Sequence, residues 1–143
     1  MSGGERFTDP DLPLEDYIDE VLAVCPRCAA CARVVPRRVT CGGCGFAKET
    51  DQKHHTTGHQ YDPWFDLPLW LQADVKGEVL WAYNARHLAL LRDFVAATHR
   101  RDDATRNHMR SVANRLPKWI GLAANRAAIL RAIADLESRL PKS

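Results

Sequence analysis

Five cysteines are the residues of this chain best equipped for chemistry, and all fall between Cys25 and Cys44. Four of them make two Cys-x-x-Cys pairs, Cys25-Pro-Arg-Cys28 and Cys41-Gly-Gly-Cys44, with 12 residues between the pairs. Two residues between thiols is the spacing at which one tight turn aims both sulfurs at one ion. Two such turns facing each other complete a tetrahedral thiolate site. The expected ion is zinc, held by Cys25, Cys28, Cys41 and Cys44; an iron–sulfur centre takes four thiolates too. A thioredoxin-like redox centre needs a single pair at the end of a strand, and a disulfide framework needs an oxidising compartment. Cys31 is left over, either competing with Cys28 for the site or serving as a small, partly buried side chain. A four-thiolate site has no open position for water or substrate, so its expected role is to supply folding energy.

The second chemical candidate is the run Lys53-His54-His55-Thr56-Thr57-Gly58-His59. Three histidines, with Asp51 or Asp62 as a carboxylate, would suit a metal-dependent hydrolase. The spacing matches no hydrolase motif, however, and His54 and His55 point to opposite sides of an extended chain. The Thr-Thr-Gly content reads as a polar linker loop. A third candidate is Arg33, Arg37 and Arg38, placed between the cysteine pairs where side chains can reach nucleic-acid phosphates.

These residues need elements to hold them. Arg33–Val35 and Arg38–Thr40 read as two short strands with Pro36 at the turn, and Phe46 opens a third. Gly45 follows the second cysteine pair, where a permissive backbone is expected; Ala29 stands at the matching position of the first pair, which predicts an irregular turn there. Upstream, Tyr17, Ile18, Val21 and Leu22 make a short helical stripe over Leu14–Val24. Downstream, Leu67–Gln72 and Glu78–Asn84 read as a hairpin closed by Ala73–Gly77, with apolar residues on both faces. Its aromatics (Tyr61, Trp64, Phe65, Trp70, Trp81, Tyr83) are expected mostly in the core. Asn84 caps a helix from Ala85. Ala104–Leu116 reads as a second helix ended by Pro117, and Asn125 caps a third whose stripe is Ile129, Ile133, Leu136 and Leu140.

The chain has 143 residues and a formal net charge of +2, which excludes a uniformly polybasic protein. The charge is divided unevenly. Residues 1–24 carry seven acids against Arg6, while the remainder carries 19 bases against 11 acids. Fifteen of the 20 bases are arginine, the side chain best suited to carboxylates and phosphates. The acidic segment is expected either to lie over the basic body or to extend as an arm. The longest apolar run, Val21–Cys25, is far too short to span a membrane. With no apolar leader at the N-terminus, the expected location is the cytoplasm.

Several segments together resemble a family of small bacterial zinc-ribbon-containing proteins of transcription-factor-B type. They are Cys25-Pro-x-Cys28, Cys41-x-x-Cys44-Gly45, Leu67-Pro-Leu-Trp-Leu-Gln72, Leu80-Trp-Ala-Tyr-Asn84-x-x-His87-Leu88, Arg115-Leu-Pro-Lys-Trp-Ile120 and Asn125-Arg126. The resemblance covers roughly residues 25–140. Its members often carry a further cysteine pair before the glycine of the central hairpin; Asp74 and Val75 stand there instead, which implies no second metal site. The resemblance implies no activity of its own.

The expectation is therefore an α+β protein: an acidic arm with a short helix (1–24), a zinc ribbon (25–50), a linker (51–66), and a β-hairpin with a two- to three-helix unit (67–143). The expected function is a non-enzymatic zinc-binding adaptor that meets DNA or RNA. The alternatives are a protein-interaction module using the aromatic hairpin or the acidic arm, and a hydrolase at His54, His55 and His59.

Overall fold

Valines and small residues alternate through the cysteine-bearing segment, and they close it into a sheet. The computed structural model describes residues 14–54, 60–97 and 116–141. Strands β1 (Val21–Val24), β2 (Cys31–Val35), β3 (Arg38–Thr40) and β4 (Ala47–Glu49) form an antiparallel sheet in that order. Val21 opposes Val34, Ala23 opposes Ala32, and Val34 opposes Val39. Strand side chains alternate faces, so these five share one face, and all five are buried. The other face carries Leu22, Cys31, Arg33, Val35, Arg38 and Thr40. Pro36 and Arg37 turn β2 into β3, with Arg37 at φ 69°. Proline first and a left-handed residue second is the pattern of a type II turn.

The predicted helix over Leu14–Val24 does not form. Leu14–Tyr17 is a single 3-10 turn, and the chain then runs into β1. The reason is β1's partner: Val21, Leu22 and Val24 gain ladder bonds and burial on pairing with β2, which outweighs a weak helical stripe. Val21–Val24 therefore contribute the first strand of the cysteine-bearing sheet.

The downstream hairpin forms a few residues later than expected. Strands β5 (Leu71–Val75) and β6 (Glu78–Ala82) pair from Leu71↔Ala82 to Val75↔Glu78, leaving Lys76-Gly77 as a two-residue turn. Both turn residues have positive φ, 52° and 86°, as a type I′ turn demands. Ala73–Val75 are thus strand, not loop. Leu69 instead bridges to Ala23, because Pro68 and Trp70 bond the free edge of β1. The hairpin is covered on one face only: Leu71, Val75, Leu80 and Ala82 are buried, while Gln72, Val79 and Trp81 are partly open.

Helix α1 (Ala85–Ala96) begins where predicted, with Asn84 Oδ1 accepting from His87 N at 2.9 Å. A short α2 (Lys118–Gly121) and α3 (Arg126–Ser138) complete the mixed α+β fold. Pro117 sits at the start of α2. Residues 104–115 of the predicted helix lie outside the described residues. Asn125 occupies the position before α3, but its side chain bonds Trp119 O and Lys76 Nζ and does not cap the helix. Ile129, Ile133 and Leu136 of α3 are buried against Leu88, Leu91 and Val95 of α1 and against the hairpin, with Leu140 packed at the edge. Each such side chain contributes about 1.5–3 kcal/mol by leaving water. Among the described residues no helix is long and apolar enough to cross a membrane.

Candidate metal centre

Each cysteine pair occupies the turn of a hairpin. Cys25 and Cys28 lie between β1 and β2; Cys41 and Cys44 lie between β3 and β4. The two turns are wound alike. Cys25 N bonds Ala30 O, and Ala29 N returns to Cys25 O. Cys41 N bonds Phe46 O, and Gly45 N returns to Cys41 O. Ala29 and Gly45 are both left-handed, at φ 65° and 81°. The irregularity expected at Ala29 is absent: alanine adopts the glycine conformation there, at an energetic cost.

This winding brings four sulfurs together. The Sγ atoms of Cys25, Cys28, Cys41 and Cys44 all lie within 4.8 Å of one another. Two separations join the two turns, Cys25–Cys44 at 3.6 Å and Cys28–Cys41 at 3.5 Å. Each turn supplies one buried sulfur (Cys25, Cys41) and one exposed (Cys28, Cys44). Arg27 N points at Cys25 Sγ at 3.4 Å. A side chain on Gly43 would stand 3.6 and 3.7 Å from the sulfurs of Cys41 and Cys28. The four are therefore positioned to hold a metal ion.

The acid–base chemistry of the cluster points the same way. Burial pushes the Cys25 thiol up, but hydrogen bonds from the backbone of Cys28 and Arg27 and from the neighbouring thiols overcome it and pull it down to about 6. For Cys28 the backbone bond at Ala30 acts downward, yet the neighbouring thiols and burial carry it up to about 12. The group thus favours one thiolate and resists more, since several negative sulfurs at this distance repel one another. A cation between them removes that resistance.

Cys31 lies outside the cluster, at the start of β2, and its Sγ faces Ala32 O at 3.9 Å. Burial, the main cause, pushes its thiol up to about 11. The histidine run makes no second site among the described residues. His54 packs edge-on against Trp64, with ring centroids 5.6 Å apart; His55 and His59 lie outside the described residues. Asp62 is buried and committed elsewhere: its oxygens accept from the backbone N–H of Trp64, Phe65 and Leu67 at 2.6–2.8 Å. Asp51 is exposed.

Arg37 and Arg38 sit at the end of the sheet away from the sulfurs, and Arg33 lies midway along β2. Arg33 and Arg38 share a face and are diagonal neighbours across β2 and β3, while Arg37 occupies the turn. Two already hold carboxylates: Arg33 Nε lies 2.8 Å from Glu20, and Arg38 Nε 3.9 Å from Glu49. The acidic segment reaches the body in this way. Arg86 binds Asp19 at 2.9 Å, also bonds Asp16 O, and lies over the Tyr17 ring.

A buried node lies beneath this segment. Asn84 Nδ2 donates to Tyr17 O at 2.7 Å and Glu20 O at 2.6 Å. His87 Nδ1 accepts from Tyr83 N at 3.0 Å, which leaves the ring proton on Nε2. Burial, with Arg86 adding to it, pulls His87 down to about 3. Asn84 and His87 are spaced i, i+3 at a helix start, and that spacing was the only available clue. No family model, curated protein or solved structure matches this chain.

Proposed function

We propose that this protein is a zinc-stabilised, non-enzymatic binding module whose arginine-bearing sheet meets nucleic-acid phosphates. Cys25, Cys28, Cys41 and Cys44 would hold the ion as thiolates, and the ion would cross-link two turns that no core of their own supports. The observation that carries this is the sulfur spacing. A tetrahedron with Zn–S bonds of about 2.3 Å has edges of about 3.8 Å, and the two cross-turn distances are 3.6 and 3.5 Å. That suits one ion and leaves no room for a cluster of several irons. A closed four-thiolate shell supports a structural role over catalysis. The resemblance to transcription-factor-B-type ribbon proteins agrees with this reading.

Metal analysis of the purified protein tests it, with one zinc per chain expected. Cys41→Ser should release the ion and Cys31→Ser should not. A colourless protein distinguishes zinc from iron. Absence of metal, or metal retained by the Cys41 variant, would overturn the reading.

Nucleic acid is favoured as partner by three arginines on one short stretch of sheet, two on the same face. Their ion pairs are solvent-exposed, hence weak and exchangeable for phosphate. A protein partner for the aromatic hairpin or the acidic segment is less well supported. Trp81 and Tyr83 pack on His87, and residues 16–20 are engaged by Arg33, Asn84 and Arg86. Anisotropy of short single-stranded DNA and RNA at rising salt is the test. Binding that is absent at low salt, or insensitive to salt, removes nucleic acid from the proposal.

A further inference from the structure

On the face of the sheet opposite its valine core, Leu22, Cys31, Arg33 and Thr40 come from three adjacent strands and point the same way, with Leu22 itself buried. With Ala32, Gly42 and Pro141 they line a cleft of about 300 Å³. We infer that this cleft seats a single nucleic-acid phosphate, and that Glu20 is its built-in competitor. The inference rests on the nucleic-acid reading above and assigns it a subsite.

The chemistry of the lining selects an oxyanion. Arg33 and Thr40 are directly opposed across β2 and β3, so a guanidinium and a hydroxyl stand side by side on one wall. Leu22 and Pro141 add apolar surface beside them, and the cleft stays open to solvent. An oxyanion is already present on this guanidinium: Glu20 Oε2 lies 2.8 Å from Arg33 Nε. That contact is an exposed ion pair at one edge of the guanidinium, and the planar fork carries further donors for a second acceptor. Glu20 is no loose carboxylate, because Asn84 fixes its backbone through the 2.6 Å bond to Glu20 O. It is held where it lowers the net charge that a phosphate meets. A divalent ion held by the four thiolates would leave that centre with a net of two negative charges, which would disfavour a second phosphate nearby. The capacity is therefore one phosphate rather than a run.

Zinc-loaded wild type, Glu20→Gln and Arg33→Gln would be compared by anisotropy with a ten-nucleotide single-stranded DNA between 20 and 200 mM salt. The pair is well exposed, at 56% and 42% for the two side chains, so both variants should fold and keep their metal. Glu20→Gln should bind at least threefold more tightly. Arg33→Gln should bind at least threefold more weakly, with a salt slope reduced by about 0.7 for the lost single-strand contact. In parallel, inorganic phosphate at millimolar concentration should move the backbone amide resonances of Arg33, Thr40 and Gly42 in the wild type and not in Arg33→Gln. Oligonucleotide binding indifferent to both substitutions overturns the seat and leaves the nucleic-acid reading standing. Phosphate shifts without oligonucleotide binding do the reverse. Silence in both assays overturns both.

Discussion

Replacing Ala29 with glycine should stabilise this protein, and replacing Gly45 with alanine should destabilise it. Both residues donate the N–H that closes a cysteine turn, at 2.9 Å in each case, and both are left-handed. An L-residue with a side chain spends about 1–2 kcal/mol in that conformation. Glycine avoids the cost but loses about 0.5–1 kcal/mol more backbone entropy on folding. The net expectation is a gain of about 0.5–1 kcal/mol for Ala29→Gly and a similar loss for Gly45→Ala. Nothing lies within 4 Å of where a side chain on Gly45 would stand, so the loss is purely conformational. Gly42 is the control: it too has open space and no positive φ, so Gly42→Ala should be neutral or slightly stabilising. Urea denaturation of the zinc-loaded proteins at fixed pH and metal concentration measures all three, and thermal melting should shift by about 2–4 °C for Ala29→Gly and Gly45→Ala. If Ala29→Gly is no more stable than the wild type, the two turns are not wound alike and the argument fails.

Four further outcomes can be checked. His87 is held neutral when folded but has a pKa near 6.5 when unfolded, so the unfolded chain alone gains a proton as pH falls between about 6.5 and 3. Stability should fall by about 2 kcal/mol between pH 6.5 and 5 from this group, and urea titrations of His87→Gln should lack that increment relative to wild type. Asp62→Asn places an amide against one of three backbone donors and should cost about 1–3 kcal/mol in the same assay. The Cys31 thiol, pushed up to about 11, should react slowly with iodoacetamide at pH 7.5 in the metal-loaded protein, as mass spectrometry would show. Ile133→Ala, in the packed interface of α1 and α3, should cost about 2–5 kcal/mol without changing the metal content.

The sulfur site and the helix start at Asn84 were legible because each is set by local spacing: two residues inside a turn, one polar residue ahead of a helical stripe. Strands β2, β3 and β4 were legible for the same reason, since the cysteine turns and Pro36 bracket them. β1 was not, because Tyr17, Ile18, Val21 and Leu22 fit a helical period as well as a strand, and only pairing with β2 decides between them. The hairpin register slipped because Leu67–Trp70 is as apolar as a strand; its backbone bonds go to β1, an edge invisible in the sequence. Asp62 looked like a metal ligand because its backbone partners lie two to five residues ahead, in a loop without periodicity. His87 read as one more residue in a helix until the fold wrapped Tyr17, Trp81 and Tyr83 around it.

β1 ties the cysteine-bearing sheet to the rest of the chain. On one side it pairs with β2; on the other, Val24 N bonds Pro68 O, Trp70 N bonds Leu22 O, and Leu22 N bonds Tyr83 O. Its side chains divide likewise, Val21 and Ala23 into the core beneath the sheet and Leu22 into the core of α1, α3 and the hairpin. The same strand ends at Cys25. Losing the ion would free both cysteine turns, and with them the end of a strand that both cores share. A ribbon joined by a flexible linker would unfold without consequence for its neighbour. Here the backbone bonds at Leu22 and the Asn84 bonds to Tyr17 and Glu20 should carry the loss into the start of α1. Under a chelator, amide exchange at Tyr83 and His87 should therefore accelerate together with exchange at Val34 and Val39. Protection retained at Tyr83 and His87 after the sheet has opened would show that the two cores fold independently.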